Sequence, residues 1–414
     1  MARIAARFAR RESFHHARDL VAGLMSGLAR KNCWTIAEQV GEQVPYGLQN
    51  LLSRGSWDHD GVRDDLRDYV IEQLGYPDGI LVVDETGDVK KGTATVGVRR
   101  QYTGTAGRVE NAQVSVHLTY TSPNGHALID AELYLPESWT ADADRLAAAG
   151  VPDDVSFATK PQLAKAMITR ALDAGTPASW VSGDEVYGAS GQLRAELETR
   201  RIGYVLAVAC DHRVTTGAGT MRADSLAADL PRMAWQTRSA GPGAKGPRLY
   251  DWALIDITDP RAQDRPGHRW LLIRRHPRTG ELAYYHCYSP ERAPLKTLVT
   301  VAGRRWTIEE SFQAGKGLCG LDQHQVRTWT SWRRWATLSM LAFAFLAVQA
   351  ARERSSPQPA GMIPLTCNEI AHLLNTLTRP AADPHLCQRW STWRRRHQHH
   401  ARHCHYQRRS KDHQ

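Results

Sequence analysis

No CxxC pair occurs among the seven cysteines of this 414-residue chain, at positions 33, 210, 287, 319, 367, 387 and 404. Scattered like this they suit neither a zinc ribbon nor a disulfide framework, and the expectation is free thiols in a reducing cytoplasm. An apolar h-region is missing from the start, MARIAARFARRESFHHARDL, so no signal peptide is expected. The longest apolar stretch, Ala336 to Ala351, is interrupted by Thr337, Ser339 and Gln349. It is too short to span a bilayer and reads as a buried core helix. No internal repeat is present. Acidic residues all but vanish at the end: from Gln388 to Gln414 there are eight Arg or Lys against one Asp, so this tail supplies +7 of the net charge of +10.

With 42% hydrophobic and 23% charged residues the chain is an ordinary globular protein, long enough for two or three domains. Its pI near 9.4 points to a polyanionic partner, of which nucleic acid is the usual one.

The most informative stretch is ILVVDETGDVKKG, residues 80–92. Four apolar residues, as in a strand buried on both faces, run into Asp84 and an acidic turn. A carboxylate at a strand end can help hold a hard divalent cation; a lone Asp there more commonly starts a turn. A second strand, Ala178 to Ser182, ends in GDEVYG and places Asp184 in the same setting. Between them, 109–121 and 126–135 alternate in polarity around Pro123-Asn124-Gly125 and form a hairpin. Thr159 caps a helix running to about Ala174 with Pro161 in its first turn. A helix from Ser190 to Arg200 and a strand from Gly203 to Ala209 follow. Three strands, expected to run antiparallel in sequence order, then helix–strand–helix–strand, give an α/β class with a mixed sheet, whose ligands gather at strand C-terminal ends.

Residues 211–290 read as a β-rich insertion with strands at 249–257, 269–275 and 281–288 and a flexible Ser239–Pro247 loop. In the helical stretch that follows, Arg305, Glu309, Phe312 and Lys316 share one helix face. An ordinary surface ion-pair stripe has the same spacing. Glu310 points about 100° away, and register with Arg305 and Lys316 favours Glu309 as a third carboxylate. Asp84, Asp184 and Glu309 together could hold two Mg²⁺ ions roughly 4 Å apart, one activating water or a 3′-hydroxyl and one stabilising the leaving oxygen.

VVDETG at 82–87, GDEVYG at 183–188 and R-x3-E-x6-K at 305–316 resemble the Asp-Asp-Glu (DDE) transposases of bacterial insertion sequences. The likeness extends to QYTGTAGRVENAQV, ELYLPESW, GAKGPRLYDWAL and WSTWRRRHQ. It implies a ribonuclease H-like core that binds two Mg²⁺ ions, with Mn²⁺ as a substitute, and cuts and joins double-stranded DNA at terminal inverted repeats and target sites. It also implies Asp84, Asp184 and Glu309 as metal ligands, Arg305 and Lys316 as the basic members of the Y-x2-R-x3-E-x6-K signature, a homo-oligomer on paired DNA ends, and a bacterial cytoplasmic, nucleoid-associated location. Ala302 stands where that signature has Tyr, which puts the hairpin intermediate in question but not the metal chemistry. The signature's branch stacks an insertion Trp on a flipped base; Trp235 and Trp252 are the candidates, and either is otherwise a core aromatic.

The expected divisions are a helical DNA-binding region (1–76), the first part of the core (77–210), the β-rich insertion (211–290), the catalytic and packing helices (291–354), and a linker, C-terminal helix and basic tail (355–414). Within the first, residues 35–41 and 46–52 outline a helix-turn-helix or a plain helical hairpin. Thr366 and Glu369 have capping-box spacing for a helix through Leu377. Lys90, Lys91, Arg99 and Arg100 either contact DNA phosphates or are a solvated run. Trp329, Trp332 and Trp335 are expected to pack while Arg333 and Arg334 reach phosphate. The tail, with Arg394, Arg395 and Arg396, is expected as a disordered basic segment on DNA; its His397–His405 cluster lacks paired metal-ligand spacing. A non-catalytic repressor descended from a transposase is the competing reading, and a nuclease that cuts without joining is a third.

Overall fold

The computed structural model describes residues 1–243, 246–358, 360–378 and 383–411. After a 3-10 turn at Ala2–Arg7 come four helices, α1 (Arg11–Leu24), α2 (Cys33–Gln39), α3 (Tyr46–Ser53) and α4 (His59–Leu74). Strands β1 (Gly79–Val89), β2 (Arg99–Thr103), β3 (Arg108–Ser122) and β4 (Gly125–Leu133) follow. Then come α5 (Glu137–Thr140), α6 (Ala143–Ala148), α7 (Lys160–Asp173), β5 (Ala178–Gly183), α8 (Glu185–Gly188), α9 (Gly191–Thr199) and β6 (Gly203–Val208). The next block holds β7 (Arg213–Thr216), β8 (Gly219–Arg222), α10 (Ala223–Ala228), β9 (Gln236–Gly243), β10 (Gly246–Ile257), β11 (His268–Arg275) and β12 (Leu282–Ser289). The chain closes with α11 (Leu295–Arg304), α12 (Trp306–Cys319), α13 (Trp329–Ser355), α14 (Cys367–Thr378) and α15 (Pro384–Lys411).

One mixed sheet of ten strands organises the molecule, in the order β2-β3-β1-β5-β6-β12-β11-β10-β9, with β4 also on β3. β1, β5 and β6 are mutually parallel neighbours, and β1 runs antiparallel to β3. Leu81, Val82 and Val83 are fully buried, as a strand covered on both faces requires. The expected acidic turn after Val83 is instead more strand. Asp84 pairs with His117 and the ladder continues to Val89 opposite Ala112. β3 is long enough to keep supplying partners after β5 has ended at Gly183, and the ladder overrides the turn preference of Asp and Gly. Asp84 thus sits where β1 parts from its parallel neighbour, not at a strand terminus.

Thr159 caps α7 as expected, accepting from Gln162 N, and the Gln162 side chain returns to Thr159 N to complete a capping box. The 211–290 block differs from a separate insertion in one respect: through β12 on β6 its larger strands extend the central sheet. The Ser239–Pro247 loop is largely the β9–β10 hairpin, its residues 244–245 lying outside the described ones. Helix α11 crosses β9 so closely that a Cβ on Gly303 would stand 1.9 Å from Ala240 O.

Helix α13 is the internal spine. It is long and apolar enough to cross a membrane by length and composition, yet 83% of its apolar window is buried inside the protein. It touches α1, α3, α4, α12, α14 and β4, so the N-terminal helices and the sheet share one hydrophobic core. Thr366 caps α14 as its spacing predicted, accepting from Glu369 N at 3.3 Å. The expected disordered tail is instead a helix of 28 residues, α15. Leu386, Trp390, Trp393 and His397 recur at helical spacing along it, and Trp390 is fully buried.

Candidate active site

Asp84, Asp184, Glu309, Arg305 and Lys316 all line one open cavity of about 960 Å³. Each arrives by a different local rule. Asp84 sits on the stretch of β1 freed from β5. Asp184 follows β5 directly and N-caps α8, its Oδ1 accepting from Val186 N at 2.9 Å, which orients the carboxylate. Arg305 is the joint between α11 and α12, and Glu309 lies in the first turn of α12.

Asp84 is buried and accepts from Arg305 Nη1 at 3.0 Å. Burial, then the neighbouring Asp184 charge, pushes the Asp84 carboxyl up to about 7 against the pull of Arg305. Burial and Glu85 likewise raise Asp184. Glu85, which sequence reasoning passed over, is a further carboxylate of the cavity. Lys160 Nζ holds it at 2.6 Å and Tyr187 donates its hydroxyl at 2.7 Å. Only its place next to Asp84 in a strand hinted at this role. Glu309 makes no hydrogen bond or ion pair among the described residues and is half-buried. Glu310 also borders the cavity, but lies 3.3 Å from His126 Nε2, which holds its carboxyl below the usual range. In these side-chain positions no three His, Cys, Asp or Glu groups among the described residues stand close enough to hold a metal ion.

The cationic side of the cavity is larger than expected. Arg248 donates to Ala240 O and Gly303 O at 2.9 and 3.0 Å, and Arg274 lies over the Tyr250 ring. Lys316 reaches Thr105 Oγ1 at 3.3 Å and stands 3.8 Å from Asp88. Asp88 is largely buried. Burial works against its charge, yet the hydrogen bond to His324 and the nearby Lys90 and Lys316 charges hold its carboxyl below the usual range. Two exposed aromatics of the cavity, Trp306 and Tyr102, are 52% and 64% exposed. A lone aromatic gives no sequence signal of its exposure.

Several expected DNA contacts are structural instead. Lys90 is nearly buried, with Nζ 3.2 Å from His324 Nε2, so it anchors the Asp88 cluster and not a phosphate. Arg333 is spent on Asp60 and Glu132 at 2.6 and 2.9 Å. Arg334, 6% exposed, donates to the carbonyls that end α3. The tryptophans Trp329, Trp332 and Trp335 do pack. Trp252 is 1% exposed and belongs to the core, and Trp235 is half-buried beneath the Arg275 guanidinium. Arg394 pairs with Glu38. Lys91, Arg99, Arg100, Arg395 and Arg396 remain exposed. Ala302, in the position of the signature's Tyr, lines the cavity and is buried.

Gly188 ends α8 with no room to spare: a Cβ there would meet Ala207 O at 1.8 Å. Gly188→Ala must lift α8 off β6 and carry Asp184 with it. The expected outcome is loss of the site's chemistry with far-UV circular dichroism unchanged. Retained activity would show that the position of α8 does not matter.

Residues 3–227 match the family model described as "DDE superfamily endonuclease", and residues 158–345 match "Transposase DDE domain". The "Probable transposase for insertion sequence element IS701" of Microchaete diplosiphon is 28% identical over 274 residues, covering 64% of this chain and 68% of that protein. Among solved structures, the piggyBac transposase synaptic complex with hairpin DNA aligns over 92% of this chain and 76% of its own, at TM-score 0.42 and 11% identity.

Proposed function

We propose that this chain, which belongs to the DDE superfamily of transposase endonucleases, cuts phosphodiester bonds at insertion-sequence ends and transfers the freed strands into target DNA at the Asp84–Asp184–Glu309 cavity. The observation that carries this is the convergence of those three carboxylates, from β1, β5 and α12, on one cavity that cations also line. The central strands support a ribonuclease H-like core: β4, β3 and β1 run antiparallel, and β5 and β6 continue parallel to β1.

In their present positions Asp84, Asp184 and Glu309 do not close on an ion, but their donor chemistry suits a divalent cation. Asp84 is held near pH 7 by burial and Asp184, a repulsion that a bound cation relieves, and the donors are the hard oxygens Mg²⁺ or Mn²⁺ takes. Asp84, Asp184 and Glu309 would hold two such ions. When bound, they supply activation of water or a 3′-hydroxyl and stabilisation of the leaving oxygen. The protein's own groups do the rest. Arg305 neutralises Asp84 in the free chain and is placed to turn to a phosphate oxygen when DNA enters. Lys316, Arg248 and Arg274 add positive charge for the scissile backbone. Trp306 and Tyr102 offer exposed faces on which an unpaired base can stack, a part their exposure fits better than that of Trp252. Cutting and joining two ends together calls for at least two copies on DNA.

The test is cleavage of a labelled duplex carrying the gene's own flanking sequence, with Mg²⁺ or Mn²⁺. The expected result is metal-dependent cuts at the repeat boundary, lost in Asp184→Ala and Glu309→Gln but retained in Glu310→Gln, whose native carboxylate is engaged by His126. Joined products would separate a transposase from a nuclease. Binding without cleavage by the wild type would overturn the reading in favour of a repressor.

A further inference from the structure

Asp84 and Asp88 stand an even number of residues apart on β1, so their side chains leave the same face of the strand. Asp84 meets Arg305 at the start of α12, and Asp88 meets Lys316 near its end. His324 completes the second group. Its side chain is 1% exposed, and Nε2 donates to Asp88 Oδ2 at 3.2 Å. The turn that ends α12 brings it back to the sheet: Gly320 is left-handed, at φ 63°, and Leu321 N donates to Gly315 O. Lys90 Nζ donates to the His324 carbonyl at 3.3 Å, which ties the same loop to the end of β1.

The contact with Lys316 is of another kind. Asp88 Oδ1 is buried without a hydrogen-bond partner, and Lys316 Nζ stands 3.8 Å from it. Nζ also finds Thr105 Oγ1 at 3.3 Å and Gly87 O at 3.5 Å. Each distance exceeds the roughly 2.7–2.9 Å of a closed charge-assisted hydrogen bond. The network around Asp130 and Glu132, by contrast, is closed, with Arg170 reaching them at 2.8 and 2.7 Å. Lys316 is therefore drawn by a buried negative charge yet bonded tightly to nothing. That suits a cation which must be aimed and still be free to move to a phosphate.

We infer that Asp88 and His324 are positioning residues for Lys316: the Asp88 charge keeps the ammonium at the edge of the cavity, and His324 fixes the carboxylate so that Oδ1 stays aimed at it. Both roles rest on the reading of the cavity as the site of DNA cutting, and neither residue touches substrate. A lysine head rides on a flexible four-carbon stem, so without a fixed counter-charge it samples many positions and only some of them serve the reaction. A histidine and a carboxylate buried behind the site, where apolar side chains would pack at lower cost, are accounted for in this way.

Two measurements on the full chain test this. In the first, lysines are acetylated with acetic anhydride in the absence of DNA and each site is followed by peptide mass spectrometry. The Lys316 side chain is 17% exposed. Asp88→Asn should release its head to solvent and speed its modification about threefold or more, with the exposed Lys91 unchanged. The second is cleavage of the flanking duplex. Asp88→Asn should lower kcat about tenfold and leave KM within about twofold, and it should cost nothing further in a Lys316→Ala background, because the two side chains act as one unit. Should Asp88→Asn fold poorly, His324 carries both measurements: His324→Leu should behave as Asp88→Asn does, and His324→Gln, whose amide can still donate to Oδ2, should recover part of the loss. Unchanged Lys316 reactivity, or a cost that multiplies in full in the Lys316→Ala background, overturns the inference. A wild type that does not cut, but whose Lys316 reactivity responds to Asp88→Asn, refutes the catalytic reading and leaves the positioning of Lys316 standing.

Discussion

Asp84→Asn should abolish DNA cleavage and at the same time make the folded protein more resistant to heat at pH 8. The loss of activity follows from removing an acceptor oxygen that only the carboxylate can offer to a cation, and should be roughly a thousandfold or more. The gain in stability follows from the local electrostatics. Asp84 is buried next to Asp184 and its carboxyl sits at about 7 in the folded chain, against 3.8 for the ordinary side chain. Between those values the folded state holds the proton and the unfolded state has released it, so stability falls as pH rises through this window. Above about 7 the penalty is complete, worth up to roughly 4 kcal/mol before relaxation. Asparagine keeps the shape and removes the charge. Melting temperatures of the two proteins should coincide below about pH 4, diverge as pH rises, and differ most above 7. Added Mg²⁺ should then raise the melting temperature of wild type more than that of Asp84→Asn, because a cation that binds only the folded state stabilises it by mass action. Coincident melting curves at pH 8 would mean Asp84 is better solvated than its burial implies.

Arg334→Ala should destabilise the whole protein by roughly 3 kcal/mol while leaving the Asp84–Asp184–Glu309 cavity chemically intact. Its guanidinium is a buried cap. It donates to Leu51 O at 3.1 Å and Leu52 O at 3.4 Å, and also to Gly55 O, where α3 ends. The Trp57 ring lies 5.2 Å away, and Trp57 Nε1 supplies Leu51 O with a second donor. Truncation therefore strands the Leu52 and Gly55 carbonyls without that donor in a dry interior and leaves a void against α13. Lysine at 334 should recover only part of the loss, because one ammonium cannot reach the same three acceptors in the fixed fork geometry. Denaturant unfolding of the two variants measures this directly. A wild-type stability for Arg334→Ala, coupled with weaker DNA binding, would return Arg334 to the phosphate-contacting role its neighbours in sequence suggested.

These cases show where sequence is legible and where it stops. The apolar run at 80–83, the Pro-Asn-Gly turn, the Thr159 and Thr366 caps and the strand before Asp184 each carry a local signal that packing had no reason to override. Asp84, Asp184, Glu309, Arg305 and Lys316 could be gathered because spacing along a helix and position relative to a strand are one-dimensional facts. What failed was partner-dependent. The continuation of β1 through Asp88 depends on the length of β3, and β2 exists because β3 overhangs it. The helical tail depends on a surface formed by Trp34 and Tyr46, some 350 residues earlier in the chain. Lys90, Arg333 and Arg334 look like surface cations until Asp88, His324, Asp60, Glu132 and the end of α3 are placed around them. Charge type is written in the sequence; which way a long side chain turns is not.

Helix α13 runs through the same core as α1, α3 and α4 on one side and β4 and α12 on the other. A brace of that kind behaves as a ruler. If the N-terminal helices hold one stretch of duplex and the Asp84 cavity cuts another, the separation between them is set by protein and cannot stretch. Inserting five base pairs between grip and cut would turn the scissile bond to the far side of the double helix, whereas inserting ten or eleven would restore its face but not its reach. Such a chain would tolerate little length variation at the ends of its element, and spacing, as much as sequence, would decide which ends it can mobilise.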